Sequence, residues 1–172
     1  KLIILITLLV SNLSLAQNVL VTGSNRGIGY EFVSQYAERG WSVIATSRSP
    51  HDDVELINLA EKYSNITIEK LDVTSQEDID NLVDKLSGQS IDLLINNAGL
   101  LGDRKKQQWG NIDKSTFDQL MDVNVFGPLK ISEALSENVI GSDKKQIVVL
   151  SSIIGSIEMR TSPTPLPTLA IS

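Results

Sequence analysis

The stretch Thr22-Gly23-Ser24-Asn25-Arg26-Gly27-Ile28-Gly29 restricts what this chain can fold into more than any other segment. It follows an unbroken apolar run at 18–22. It precedes Ile28, Phe32, Val33, Tyr36 and Ala37 at helical spacing, ended by Gly40. That context is a strand buried on both faces, a glycine turn and a helix packed back onto the strand. Gly23 permits the tight turn, Gly27 lets the backbone approach a pyrophosphate, and Gly29 lets the helix lie close to the sheet. The unpaired amides and dipole of the helix N-terminus then attract an anion.

Strand and helix patterns go on alternating beyond it. Further strands are predicted at 41–46, 66–71, 91–95 and 146–150. Residues 53–63 place Val54, Leu56, Ile57, Leu59 and Ala60 on a helical stripe. Thr74-Ser75-Gln76-Glu77 opens a helix with a capping-box pattern, followed by Ile79, Leu82, Val83 and Leu86. A long amphipathic helix covers about 114–138, kinked or re-nucleated at Pro128. This alternation predicts an α/β fold, a doubly wound parallel sheet in strand order 3-2-1-4-5 with helices on both faces.

Composition excludes several functions. A net charge of -6 over 172 residues offers no basic excess for nucleic acid, and Arg104-Lys105-Lys106 reads as a solvated loop. With no cysteine and only His51, there is no thiolate or imidazole metal site, no cysteine nucleophile and no Ser-His-Asp triad.

The spacing Gly-x3-Gly-x-Gly resembles that of the short-chain dehydrogenase/reductase family, whose fold is Rossmann-like. Other landmarks follow in order: Asp72-Val73 after the third strand, Asn96-Asn97-Ala98-Gly99 after the fourth, Asn124 within the next long helix, and Ser151-Ser152 after the fifth. Residues 18–157 carry the resemblance. Gly127-Pro128 and Ser152-Ile153-Ile154-Gly155-Ser156-Ile157 are most similar to the branch of small carbonyl reductases that includes the sniffer and C-factor proteins.

The resemblance implies a cofactor held by Gly23, Ser24, Asn25, Arg26, Gly27, Ile28 and Gly29, by Asp72 and Val73 near the adenine, and by Asn97, Ala98 and Gly99. It implies hydride transfer between a nicotinamide and the carbonyl or alcohol carbon of a small molecule. A tyrosine is the family's general acid/base, and a lysine lowers its pKa. A serine hydrogen-bonds the substrate oxygen, and an asparagine completes a proton relay. Ser152 and Asn124 match these last two. Taken alone, Ser152 reads as a turn residue and Asn124 as a buried polar group.

Charge selects the cofactor. An NAD enzyme usually ends its second strand with a carboxylate that accepts from the ribose hydroxyls. Here the strand ends Ala45-Thr46-Ser47-Arg48, without an acid. Arg26 and Arg48 can both present guanidinium groups to a 2′-phosphate, so NADP is expected in preference to NAD.

The family pattern also calls for a tyrosine about a dozen residues past the serine and a lysine four further on, neighbours on one helix face. The tyrosines here are Tyr30, Tyr36 and Tyr63, and no lysine follows Lys145. Thr161-Ser162-Pro163-Thr164-Pro165-Leu166-Pro167-Thr168 sets proline at alternate positions, so residues 158–172 are expected to be irregular. The expected fold is therefore truncated after the fifth strand, leaving an exposed edge that invites homo-oligomers. The chain is expected to be an inactive or incomplete copy of an NADP-dependent oxidoreductase. The alternative is a catalytically dead dinucleotide-binding or interaction module.

At the other end, Lys1, an apolar run to Val10 and Ser14-Leu15-Ala16 form a signal-peptide pattern too short to span a bilayer. Residues 1–17 are either such a signal or an apolar extension ahead of a cytoplasmic enzyme. In the secretory pathway Asn65-Ile66-Thr67 would be a glycan acceptor at a strand edge, which favours the cytoplasm.

Overall fold

Val19, Leu20 and Val21 are each 0% exposed, so the first strand needs cover on both faces and takes the middle of the sheet. The computed structural model describes residues 17–152; the expected N-terminal segment at 1–16 and the proline-rich tail lie outside the described residues. In chain order the elements are β1 (Asn18–Val21), α1 (Gly27–Glu38), β2 (Ser42–Ser47), α2 (Val54–Lys62), β3 (Ile66–Lys70), α3 (Gln76–Lys85) and β4 (Leu93–Asn96). Then come α4 (Lys114–Met121), α5 (Gly127–Ala134), α6 (Ser136–Ile140) and β5 (Gln146–Val149). The sheet runs β3-β2-β1-β4-β5, and all four pairings are parallel, as the alternating pattern predicts.

Period-two alternation in the strands creates two cores. Val19, Val21, Val43, Ala45, Leu93 and Ile95 point to the face covered by Val33 and Ala37 of α1 and by Leu56 and Leu59 of α2. Leu20, Ile44 and Leu94 point to the other face, under Ile79 and Leu82 of α3, Ile131 of α5 and Val139 of α6. Each fully buried aliphatic side chain contributes about 1.5–3 kcal/mol, so these two layers are the main source of stability.

Two local expectations need correction. The helix expected at 114–138 is divided into α4, α5 and α6, with a π-helical turn at Asp122–Phe126 and a second break at Leu135. Pro128 sits in the first turn of α5, directly after the π-helical turn, where its missing N–H costs no bond, which is the re-nucleation expected there. The cap of α3 is Ser75, which accepts from Asp78 N at 3.2 Å, and not Thr74. Thr74 instead donates its N–H and hydroxyl to Asp72 Oδ1. Asp78 accepts from Lys70 Nζ at 2.8 Å and Asp72 N at 2.9 Å, and these donors, Lys70 foremost, hold its carboxyl below the usual range.

The chain winds outward from β1 to β3, then crosses back to lay β4 on the other side of β1. Ligands of open parallel sheets bind where the winding reverses, beyond the carboxyl ends of the strands.

Candidate functional site

A cleft of about 650 Å³ opens at that point, and every residue expected to hold a cofactor lines it except Ser24. Its floor is a hydrogen-bonded seam between the exits of β1 and β4. Thr22 Oγ1 accepts from both Asn97 N and Ala98 N at 3.0 Å. Asn97 Nδ2 donates to Thr22 O and Gly23 O, each at 2.9 Å. Asn97 thus shapes the turn that faces the cleft. A Cβ on Gly29 would stand 2.2 Å from Gly23 O and 2.4 Å from Asn97 Nδ2, so only glycine lets α1 close onto this seam.

Gly27 contrasts with it. Its φ is +58°, and nothing lies within 4 Å of where a Cβ would be. The left-handed conformation leaves open space beside the first turn of α1. That helix has no side-chain cap and no acid in its first turn, so its positive end faces the cleft uncompensated. Ser24 lies behind the turn, 0% exposed, donating to Val21 O at 2.7 Å and accepting from Thr46 N at 3.2 Å. Its hydroxyl ties the turn to β2.

Arg26 and Arg48 line the cleft, are exposed, and form no ion pair among the described residues. Asp72 and Val73 form another wall. Asp72 is pinned through Thr74 and Asp78, while Val73 packs where a Cβ on Gly127 would come within 3.0 Å. Leu71, Val123, Leu100, Ser47, Ser49 and Asp53 also line the cleft, and sequence reasoning missed them. Ser47 Oγ and Asp53 Oδ2 are buried there without a hydrogen-bond partner among the described residues. The missed signal was an acid five residues beyond Arg48, past the strand end where an acid was sought.

The family model for short chain dehydrogenases matches residues 17–164. This chain belongs to that family. Among its relatives, (+)-neomenthol dehydrogenase of Arabidopsis thaliana is 29% identical over 161 residues, covering 81% of this chain and 54% of that protein. A carbonyl reductase of Pseudomonas aeruginosa PAO1, solved in complex with NADP, superposes with a TM-score of 0.78 at 28% identity, over 90% of this chain and 70% of that one. Sniffer of Caenorhabditis elegans gives a TM-score of 0.76 at 27% identity, over 90% and 72%. The chain spans little more than half the length of the curated relatives it matches, 54% of one and 58% of another.

The two matched polar residues stand on different elements, Asn124 between α4 and α5 and Ser152 after β5. Asn124 lies in the π-helical turn, a distortion that recurs at functional sites. Its Oδ1 accepts from Leu100 N at 2.7 Å and its Nδ2 donates to Leu100 O at 2.9 Å, anchoring the loop that leaves Gly99. Ser152 comes after β5, beyond Leu150 and Ser151, and is partly buried. Neither residue is among those lining the cleft. Among the described residues no group of acids or histidine could hold a metal ion, and no helix is long and apolar enough to cross a membrane.

Proposed function

We propose that the cleft binds NADP and that the chain carries the cofactor half of a carbonyl-reductase-type oxidoreductase. The observation behind this is the pair of unpartnered guanidiniums, Arg26 and Arg48, beside an uncapped helix N-terminus. The cleft passes a test of fit as well. It is open where a pyrophosphate would meet Gly27, and it holds two buried oxygens, Ser47 Oγ and Asp53 Oδ2, that want partners. That an NADP-bound carbonyl reductase shares the fold adds weight.

When bound, the nicotinamide supplies the hydride. The protein's part is to hold and orient. Arg26 and Arg48 take the 2′-phosphate, the α1 amides take the pyrophosphate, and Asp72-Val73 border the adenine. Gly99, on the loop that Asn124 anchors through Leu100, borders the nicotinamide end. Ser152 hydrogen-bonds the substrate oxygen, and Asn124 orients the water that carries the proton away. The general acid has no counterpart within these 172 residues, where Tyr30, Tyr36 and Tyr63 all precede β4. The 172 residues as written are therefore read as binding NADP without turning over a carbonyl.

Titration calorimetry with NADPH and NADH tests the reading. NADPH should bind at least tenfold more tightly, and Arg48→Ala should remove most of that gap, since one charge-assisted contact is worth about 1.5–3 kcal/mol. Equal affinities in the unmodified chain would refute it.

The cytoplasm is the proposed location. Asn65 Nδ2 donates to both Ala37 O at 2.9 Å and Trp41 O at 2.7 Å, committing both its hydrogens. A glycan on that nitrogen would break the junction of α1 and β2. Recovery of a folded chain glycosylated at Asn65 would overturn the assignment.

A further inference from the structure

Asp53 immediately precedes α2, where an aspartate ordinarily caps the helix by accepting from its first amides. Here its side chain makes no cap bond. It turns to the Gly-rich loop, and Oδ1 accepts from Asn25 Nδ2 at 3.1 Å. The other oxygen, Oδ2, is buried without a partner among the described residues, and the residue lines the cleft. An unpaired buried carboxylate oxygen is costly, and giving up the cap adds to that cost. A hydrogen-bond donor arriving in the cleft would account for both.

Resting on the reading of this cleft as an NADP site, we propose that Asp53 accepts, through Oδ2, a hydrogen bond from the unphosphorylated 3′-hydroxyl of the adenosine ribose. The donor must be a hydroxyl, for three reasons. The ionised phosphates of a dinucleotide are acceptors and have no hydrogen to give to the carboxylate. They are also already matched by Arg26, Arg48 and the α1 amides. And Asp53 belongs to the same β2–α2 connection as Arg48, so it stands on the wall assigned to the ribose and its 2′-phosphate. The bond to Asn25 adds a positioning role. With Nδ2 committed to Asp53, Asn25 retains its carbonyl oxygen as an acceptor. The chain thus replaces the strand-end carboxylate of NAD-type sites with one set further along, which serves one ribose hydroxyl and leaves the other position to the arginines.

Calorimetry and thermal melting of the full chain, unmodified and as Asp53→Asn, test this. The variant should bind NADPH about tenfold more weakly or worse, because a charge-assisted bond is lost. Its melting temperature without ligand should not fall, because an unpaired buried charge is removed while the amide oxygen still accepts from Asn25. A ligand-side measurement completes a cycle. The unmodified chain should bind 3′-deoxyadenosine 2′,5′-bisphosphate about tenfold more weakly than adenosine 2′,5′-bisphosphate, and Asp53→Asn should bind the two alike. Undiminished or tighter binding of NADPH by Asp53→Asn would overturn the proposal, as would an unchanged preference for the 3′-hydroxyl. A variant that loses melting temperature and affinity together would reduce Asp53 to a structural clamp. Failure of the unmodified chain to bind NADPH would sink the cofactor reading itself, and this proposal with it.

Discussion

Val19, Leu20 and Val21 in β1 are 0% exposed, whereas Ile147, Val148 and Val149 in β5 keep 43%, 42% and 53% of their surface open. Both strands are apolar and both pair parallel with β4. They differ in what lies above and below. β1 is covered by α1 and α2 on one face and by α3, α5 and α6 on the other, while β5 is the outer strand of the described sheet. The cleft belongs to the first environment, and its walls are hydrogen-bonded to one another within the described residues. Ser152, matched to the chemical step, comes after β5, while Asn124 holds the loop beyond Gly99 at the margin of the cleft. On the reading proposed above, binding a dinucleotide and using it are tasks of separate parts of this architecture.

The largest expected effect tests that separation directly. Expressed as written, the chain should bind NADPH yet reduce no aldehyde or ketone above background, because general acid catalysis typically contributes about 10²–10⁴-fold. Steady turnover abolished by Ser152→Ala would show that the β5 side supplies a proton donor after all.

Core truncations sharpen the contrast between the strands. Leu20→Ala should cost about 2–5 kcal/mol in denaturant unfolding. Ile147→Ala should cost well under half of that, as half-exposed positions do. Comparable losses at the two sites would mean that something covers β5 in solution.

Thr22→Val probes the seam beneath the cleft. The swap keeps the shape but strips the acceptor from Asn97 N and Ala98 N, and each stranded amide costs about 1–3 kcal/mol. Affinity for NADPH should fall with stability. A variant that melts like the parent would show that the seam does not depend on this hydroxyl.

The smallest effect lies before α4, on the less covered side. Asp113 accepts from Ser115 Oγ, Thr116 N and Thr116 Oγ1, and these bonds, Ser115's first, draw its carboxyl from an ordinary value of about 3.9 down to about 2. A carboxyl with a depressed folded-state pKa stabilises the fold above its unfolded pKa and loses that contribution as pH falls toward the folded one. Melting temperature should therefore decline between about pH 4 and pH 2 by more in the parent than in Asp113→Asn. Parallel declines would assign acid sensitivity to other carboxylates.

Much of this was legible without coordinates, because it rests on short-range rules. Two-residue alternation, glycine spacing and the strand–turn–helix order of residues 18–38 are local facts. They were enough to place the parallel sheet, its 3-2-1-4-5 order and the cleft-facing turn. Arg26 and Arg48 were readable for the same reason, each adjoining a strand end or glycine that fixes where it stands. What escaped depended on partners far along the chain. The hydroxyl of Ser24, a residue expected at the cofactor, bonds Val21 O and Thr46 N, from two different strands. Asp53 had the place of a helix cap and was captured by Asn25, 28 residues earlier. The π-helical turn that carries Asn124 leaves no mark in an apolar stripe whose period it barely disturbs. Sequence determined the sheet and the glycine turn at the cleft, since backbone propensity and burial pattern act residue by residue. Which polar atoms remain unspent in the cleft was decided by tertiary structure alone, because a hydrogen bond is claimed by whichever partner the fold brings within 3 Å or so.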